Sequence, residues 1–306
     1  MDGRTPHPDE ANDPQALEAA ARRLDAHPDY RVVRRLPENP ATEGAGATFR
    51  WGLYVDVETT GMRAGRDRII ELAMVLFGYD AEGRVTGIEA RFDGLEDPGR
   101  PIPEEVVALT GIRDEDVAGQ ALDEAAVAAL LERSDLVVAH NAAFDRAFLE
   151  ARFPAFAERP WACSAQDVDW RAEGLESRKL EYLAYRTGVF YEAHRAETDC
   201  VAGVYVLAQP LPSDGVPAMG RLLAAARRAD VLVEAFGSPY ETKDLLKARG
   251  YRWRPEVKVW WRMVPEGEIE AERSWLAANV YPAGARGAKE TPVTAYERYS
   301  PRLFGS

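Results

Sequence analysis

Five side chains of this sequence combine types and spacings that suit metal-assisted chemistry: Asp56, Glu58, Asp145, His194 and Asp199. Asp56 and Glu58 stand in Trp51-Gly-Leu-Tyr-Val-Asp-Val-Glu-Thr-Thr-Gly61, where apolar residues alternate with the two acids. On a strand of period two, both carboxylates leave one face while Val55 and Val57 point to the other. Isolated buried carboxylates take up protons rather than remain charged. A divalent cation resolves the conflict, and hard oxygen donors suit magnesium or manganese. The competing reading is an exposed edge strand with solvated acids, which fits the apolar flanks poorly.

Asp145 lies in Ala139-His-Asn-Ala-Ala-Phe-Asp-Arg-Ala-Phe148, within the first helical turns after a buried strand. It becomes a third carboxylate beside Asp56 and Glu58 if the two strands are sheet neighbours. Asp199 sits early in a later helix, five residues after His194. On one continuous helix that spacing separates two side chains by about 140°, so His194 is expected on the preceding loop, swinging in from outside. Four carboxylates around one point need about two divalent cations for charge balance, and two cations roughly 3.5–4 Å apart serve in-line displacement at phosphorus. A neutral imidazole beside them can take the proton of an attacking water.

A chain of 306 residues, 46% of them apolar, can bury a full core plus something smaller. It has no apolar run of membrane-spanning length and no signal-peptide pattern at its start, so a soluble cytoplasmic protein without a membrane partner is expected. Cys163 and Cys200 share no metal spacing and read as buried free thiols of a reducing compartment. His7 and His27 read as solvated bystanders. The net charge of −13 argues against non-specific coating of nucleic acid, yet leaves room for a local basic patch or a metal-neutralised site.

Hydrophobic periodicity supplies the elements that must carry these residues. Residues 1 to about 15, rich in Pro, Asp and Asn, read as disordered. Pro14 to Ala26 has helical spacing and Tyr30 to Leu36 alternates like a strand, so residues 1–48 form an N-terminal extension on the main domain. After the acid-bearing strand, Arg68 to Gly78 reads as a long buried strand and Arg84 to Phe92 as its antiparallel neighbour. Pro103 to Gly111 is a short helix with acids in its first turn and a glycine stop. Asp123 to Arg133 is a helix, Leu136 to Ala139 a fully buried strand, and Ala142 to Arg152 the helix it runs into. Trp161 to Ser164 adds a strand, followed by helices near Ser177 to Arg186 and Ala196 to Leu207.

A meander followed by alternating strands and helices predicts an α/β fold over residues 49–210, a mixed β-sheet covered by helices on both faces. Gln209 to Gly215 reads as a linker. Residues 211–306 carry 15 Lys/Arg against 12 Asp/Glu, so the acidity of the chain lies before them. Within them Ala218 to Phe236 and Tyr240 to Arg249 are helical in pattern, Gly250 to Arg262 suggests two short strands, and Glu266 to Tyr281 a closing helix. The tail after Pro282 reads as loosely ordered, and the whole segment as a small α+β C-terminal domain.

Asp-Val-Glu-Thr-Thr-Gly, His-Asn-Ala-Ala-Phe-Asp and His-Arg-Ala-Glu-Thr-Asp, in this order, resemble the three motifs of the DEDDh 3′-to-5′ exonucleases, the family of bacterial proofreading epsilon subunits. Ile69-Ile-Glu-Leu-Ala and Leu109-Thr-Gly-Ile112 extend the likeness over roughly residues 49–210. The resemblance implies an RNase H-like sheet and hydrolysis of terminal phosphodiesters to nucleoside 5′-monophosphates. It implies that Asp56, Glu58, Asp145 and Asp199 hold two Mg²⁺ or Mn²⁺, with His194 as general base. A sister subfamily has a tyrosine four residues before the last aspartate, where this chain has Arg195. Thr59, Thr60 and Gly61 would line the pocket for the 3′-terminal nucleotide, and Leu109 and Phe144 would pack against bases. His140 and Asn141 have competing readings: a substrate contact, or for Asn141 a helix N-cap or structural hydrogen bond. Glu71, inside an apolar strand, makes either a buried hydrogen bond or a contact near the substrate.

The C-terminal segment more loosely resembles a small module in which a Lys-rich helix precedes Gly-aromatic-Arg-Trp and Lys-x-Trp. Tyr251, Trp253, Trp260 and Trp261 read as the core of a tiny domain. In a second reading one or two of these rings stack on bases beside a phosphate-facing strip of Lys243, Lys247, Arg249, Arg252, Arg254, Lys258 and Arg262. The expected partner is nucleic acid, DNA 3′ ends foremost, with RNA open because these motifs do not decide the sugar. A catalytically dead module that only binds nucleic acid or a polymerase is the third reading, and it gives no reason to keep four acids and a histidine together. No Gln-rich tether of the kind found on polymerase-bound epsilon subunits is evident, which leaves a polymerase partner open.

Overall fold

Uninterrupted burial of an apolar run requires cover on both faces, and the central strands of this chain have it. The computed structural model describes residues 13–281 and 287–304. In chain order its elements begin with α1 (Pro14–Asp25), β1 (Arg34–Arg35), β2 (Arg50–Thr59), β3 (Ile69–Tyr79) and β4 (Val85–Leu95). Next come α2 (Glu104–Thr110), α3 (Asp114–Val117), α4 (Glu124–Arg133), β5 (Leu136–Ala139), α5 (Ala143–Arg152) and β6 (Trp161–Cys163). They are followed by α6 (Leu180–Arg186), β7 (Val189–Phe190), α7 (Ala196–Ala208) and α8 (Ala218–Arg227). The chain closes with β8 (Asp230–Ala235), α9 (Lys243–Ala248), β9 (Arg252–Arg254), β10 (Val259–Pro265), α10 (Ile269–Asn279) and β11 (Lys289–Val293).

The main sheet has the order β4-β3-β2-β5-β6, antiparallel from β4 to β2 and parallel from β2 to β6. This is the expected mixed α/β sheet, and β2 lies at its centre, so the edge-strand reading of the two acids is overturned. Alternate residues of β2 serve opposite layers. Leu53, Val55 and Val57 pack with Leu72, Met74 and Leu76 under α4 and α5. Tyr54 packs with Val75 and Phe77 under α6, α7 and α8. Asp56 and Glu58 share the face of Tyr54, and α7 is therefore the helix that meets them. Full burial of each such aliphatic side chain contributes about 1.5–3 kcal/mol. Gly203 lets α7 cross Tyr54 closely, because a Cβ there would stand 2.0 Å from the Tyr54 Cζ.

A second sheet, β11-β8-β10-β9, is antiparallel throughout. It has its own core, in which Val233, Leu246, Tyr251, Val264 and Leu276 are buried. Three expectations are corrected here. Ala218 to Phe236 is not one helix: α8 stops at Arg227, and Asp230–Ala235 is an inner strand. A short buried apolar run suits either state by periodicity, and its two strand partners decide. The tail is not loose either, since Lys289–Val293 is one of those partners. Beyond it Trp161 N–H donates to the Ala295 carbonyl at 2.8 Å, tying the tail to the edge strand β6. Wholly buried Arg146 donates to the carbonyls of Tyr296 and Arg298 at 2.7 and 2.6 Å.

The third correction concerns the boundary at 210. Leu211, Ala218, Met219 and Leu222 are buried in the same core as Tyr54 and α7. Gln209 to Gly215 is thus a turn between packed helices, closed by Leu211 N–H on the Val216 carbonyl at 2.8 Å. At the other end, residues 1–12, with their expected disorder and His7, lie outside the described residues. Helix α1, capped by Asp13, buries no residue, and the strand expected over Tyr30 to Leu36 shrinks to Arg34–Arg35 paired with β7. Asn39 and Thr42 tie this extension to the main domain through Ile88 N–H at 2.6 Å and the Ala208 carbonyl at 2.9 Å. His27 is exposed and both cysteines are buried free thiols, as expected. No helix among the described residues is long and apolar enough to cross a membrane.

Candidate active site

Carboxylate oxygens of Asp56, Glu58 and Asp199 lie within 4.8 Å of one another. The strand pleat delivers the first two and the first turn of α7 delivers the third, across the face that Tyr54 also occupies. Asp145, in the first turn of α5 and 2% exposed, comes to β2 from the neighbouring strand's helix and accepts Val57 N–H at 3.2 Å. It stands outside the group of three, yet of the charges acting on Asp56 its own is the strongest.

Crowding of this kind raises every carboxyl involved. Burial, then the charges of Asp145, Asp199 and Glu58, push Asp56 well above the carboxylate range. Burial, then Asp199 and Glu71, push Glu58 up to about 7. Burial holds Asp145 at about 8 and raises Asp199 as well. Like charges packed beneath a helix cannot all ionise unless a cation compensates them. The donor set consists of oxygens alone, which fits a hard divalent ion such as Mg²⁺ or Mn²⁺.

His194 stands on the loop before α7, exposed and with φ 66°, a left-handed conformation that few residues other than glycine adopt. Two bonds fix this loop to the acids. His194 N–H donates to Asp199 Oδ2 at 2.8 Å, and the Tyr191 hydroxyl donates to Asp199 Oδ1 at 3.0 Å. A third tie comes from Glu71, the acid inside apolar β3. Its Oε1 receives Arg195 Nε and Nη2 at 3.1 and 3.0 Å, and its Oε2 receives Ala196 N–H at 3.1 Å. A buried carboxylate at a helix N-terminus is stabilised by the free N–H groups there. Of its two readings, the buried hydrogen bond is the one observed.

The expected substrate residues divide. Thr59 and Thr60 are buried, with hydroxyls spent on the turn itself: Thr59 donates to the Gly61 carbonyl at 2.6 Å, and Thr60 accepts Arg68 N–H at 3.0 Å. Gly61 has no room for a side chain, since a Cβ would lie 2.6 Å from Asp67 Oδ2. Leu109 is 54% exposed and Phe144 half-buried against Phe148, so both remain available to a ligand. Both ring nitrogens of His140 are engaged inside the protein. Tyr54 OH, Ser164 Oγ and His140 Nδ1 form a chain at 2.7 and 2.8 Å, and Nε2 donates to the Arg178 carbonyl at 2.7 Å. Burial drives its pKa down to about 4, in keeping with a neutral ring. Asn141 does not cap α5 through its side chain; it is exposed at φ 72°.

Three of the seven residues expected in the C-terminal basic strip are claimed within the protein. Arg249 and Arg262 share buried Glu272, each at 3.0 Å, and Arg254 pairs with buried Glu234 at 2.7 Å. Buried carboxylates claim these guanidiniums before any phosphate can. Lys243 lies over the Tyr240 ring at 4.0 Å, while Lys247, Arg252 and Lys258 stay exposed. Tyr251 and Trp260 join the small core, Trp253 is 46% exposed, and Trp261 faces a cleft. Sequence reading missed Tyr191 and Arg195. No spacing rule marks Tyr191, but the lone acid in an apolar strand was a signal that a cation must reach Glu71.

Comparison with known proteins finds the family model described as Exonuclease over residues 53–207. The chain is similar to the DNA polymerase III subunit epsilon of Treponema pallidum (strain Nichols), 33% identical over 153 residues, 47% of this chain and 68% of that protein. It is 38% identical to the PolC-type DNA polymerase III of Bacillus subtilis (strain 168) over 167 residues, 51% of this chain but 11% of that protein. Among solved structures, an exonuclease X in complex with 5′ overhanging duplex DNA matches with TM-score 0.41 and 24% identity, over 51% of this chain and 89% of that one. An E. coli exonuclease I in complex with a dA16 oligonucleotide matches with TM-score 0.46 and 19% identity, over 81% and 64%.

Proposed function

Because the chain belongs to the exonuclease family, we propose that it hydrolyses the 3′-terminal phosphodiester of a DNA strand, single-stranded or frayed, and releases nucleoside 5′-monophosphates. The observation that carries this reading is the convergence of Asp56, Glu58 and Asp199 oxygens within 4.8 Å, backed by Asp145. Asp56, Glu58, Asp145 and Asp199 would hold two divalent cations. Bound there, Mg²⁺ or Mn²⁺ supplies positive charge for the scissile phosphate and the leaving oxygen.

The residues of the chain do the rest. His194, held over Asp199 by its own backbone N–H, takes the proton of the attacking water from the solvent side. Gly61 lets Asp67 pack against the turn after β2, beside which the terminal nucleotide would enter, while Leu109 and Phe144 offer apolar surface to its base. We place the activity in trimming of 3′ ends during repair or proofreading in the cytoplasm, with a polymerase as a further partner of the kind its relatives' names suggest.

The experiment is digestion of 5′-labelled single-stranded DNA and RNA with Mg²⁺, Mn²⁺ or EDTA, beside Asp56→Asn. A metal-dependent ladder of DNA shortened from the 3′ end, absent in the variant, is the expected result. A ladder stronger on RNA would reassign the polymer, and no cleavage with any metal would leave a binding module.

A further inference from the structure

A cleft of about 540 Å³ opens between the main sheet and the C-terminal module, within the size range of ligand sites. Ala143, two residues before Asp145, and Gln166, just after β6, form one wall; Trp261 and Met263 of β10 face them, with Tyr299 and Phe304 of the tail. It therefore lies along the carboxyl ends of the parallel strands, the edge from which Asp145 also projects. That edge is where open α/β sheets take up ligands.

The charges around this cleft are unequal. Asp230, 3% exposed, is shared by Arg298 at 2.8 Å and Arg228 at 2.9 Å. Asp167 is occupied by the Tyr299 hydroxyl at 2.6 Å and Cys163 N–H at 2.7 Å. On the module side Glu272 is likewise shared by two arginines, Arg249 and Arg262. The cleft is thus lined by Arg228, Arg252, Arg262 and Arg298 against Asp167 and Asp230. Arg252 is exposed, has no carboxylate partner among the described residues, and lies over the Trp261 ring at 5.7 Å. Trp261 in turn meets Phe304 edge-on at 4.7 Å. In a chain of net charge −13 a cationic wall with an aromatic floor is a local exception.

Resting on the reading that a 3′ end is held at the acids, we infer that this cleft takes the nucleotides immediately upstream in the same single strand. Arg252, the guanidinium no carboxylate claims, meets a backbone phosphate, and Trp261 meets a base. The tail supplies a wall, so the path exists only while residues 298–304 are docked. Strand length then becomes a determinant of affinity, independently of the terminal nucleotide.

The test compares the p-nitrophenyl ester of thymidine 5′-monophosphate with oligothymidylates of 2 to 12 nucleotides, for wild type, Arg252→Glu and Trp261→Phe. Wild-type kcat/KM should climb about 10-fold or more with length, and Arg252→Glu should flatten the climb while hydrolysing the small ester within about twofold of wild type. In EDTA, anisotropy of labelled dT12 should show weaker binding for Arg252→Glu, with a salt slope shallower by about one. Equal strand affinity in wild type and Arg252→Glu would overturn the cleft assignment even if the ester is cleaved. An ester that wild type leaves intact counts instead against the site reading, and the anisotropy arm still decides the cleft. Trp261→Phe keeps a ring against Phe304; a length dependence unchanged in both variants would also sink the proposal.

Discussion

Glu71, near the start of β3, is joined to Arg195, the residue that follows His194, with both Nε and Nη2 of the guanidinium on one carboxylate oxygen. The Glu71 side chain is 1% exposed and that of Arg195 55%, so the acid depends on the pair more than the arginine does. Removing Arg195 strands a buried acid, whereas Glu71→Gln removes the charge and keeps a shape that can accept Ala196 N–H. Thermal melting should therefore rank Arg195→Ala below Glu71→Gln. Both should lose about 10- to 100-fold in turnover, the usual effect of a partner that orients a site. A full-rate Glu71→Gln enzyme would show that the His194 loop holds its position without this tie.

His194→Ala should cost on the order of 10²- to 10⁴-fold in kcat, the range of a lost general base. KM should change little, because the imidazole is exposed at the loop and its backbone N–H, which holds Asp199, survives the substitution. Steady-state kinetics on a short oligonucleotide read this directly. A rate unchanged in the variant would reassign the proton acceptor.

Acid crowding should also be visible without any substrate. Glu58 and Asp145 are held at about 7 and about 8, chiefly by burial, against about 4 for an unfolded carboxyl. The folded protein binds these protons more tightly, so their stabilising effect is complete below about pH 4 and is lost as pH rises through 7 to 8. In EDTA the melting temperature should fall between pH 5.5 and 8.5, and Asp145→Asn should flatten that fall while still accepting Val57 N–H. Saturating Mn²⁺ should reverse the order at pH 8.5, because it binds the deprotonated acids. Identical pH profiles for wild type and Asp145→Asn in EDTA would remove the crowding argument.

Much of this arrangement was legible because it is local. Alternation put Asp56 and Glu58 on one face, and a five-residue spacing put His194 off the helix that carries Asp199. The longer-range pairings were not legible. Glu71 meets Arg195 across the molecule, His140 is claimed by Ser164 and Arg178, and Arg249 and Arg262 are claimed by Glu272. In each case a polar partner distant in sequence decides between a solvent-facing and an internal role, and its position depends on topology rather than spacing. Val231, Leu232 and Val233 became strand for the same reason, their partners lying in β10 and in the tail.

That tail bears the most consequential difference from a modular reading. A chain cut after Leu211 would be expected from sequence to keep its chemistry on short substrates. In the structure Arg146, the neighbour of Asp145, is fully buried and donates to the carbonyls of Ala295, Tyr296 and Arg298. Ser300 and Arg302 add bonds to Glu150, on the same helix. Deleting residues 295–306 leaves a buried guanidinium with Glu150 as its remaining partner, a loss of about 3 kcal/mol or more. At roughly 2–4 °C per kcal/mol for a protein of this size, melting should drop by about 6–12 °C. Hydrolysis of the p-nitrophenyl ester should fall with it, because α5 sets the position of Asp145. Arg146→Met in the full-length chain should be milder than the deletion, since it removes the charge instead of stranding it. A truncated protein with unchanged melting and ester turnover would restore the picture of a free-standing catalytic domain and an optional tail.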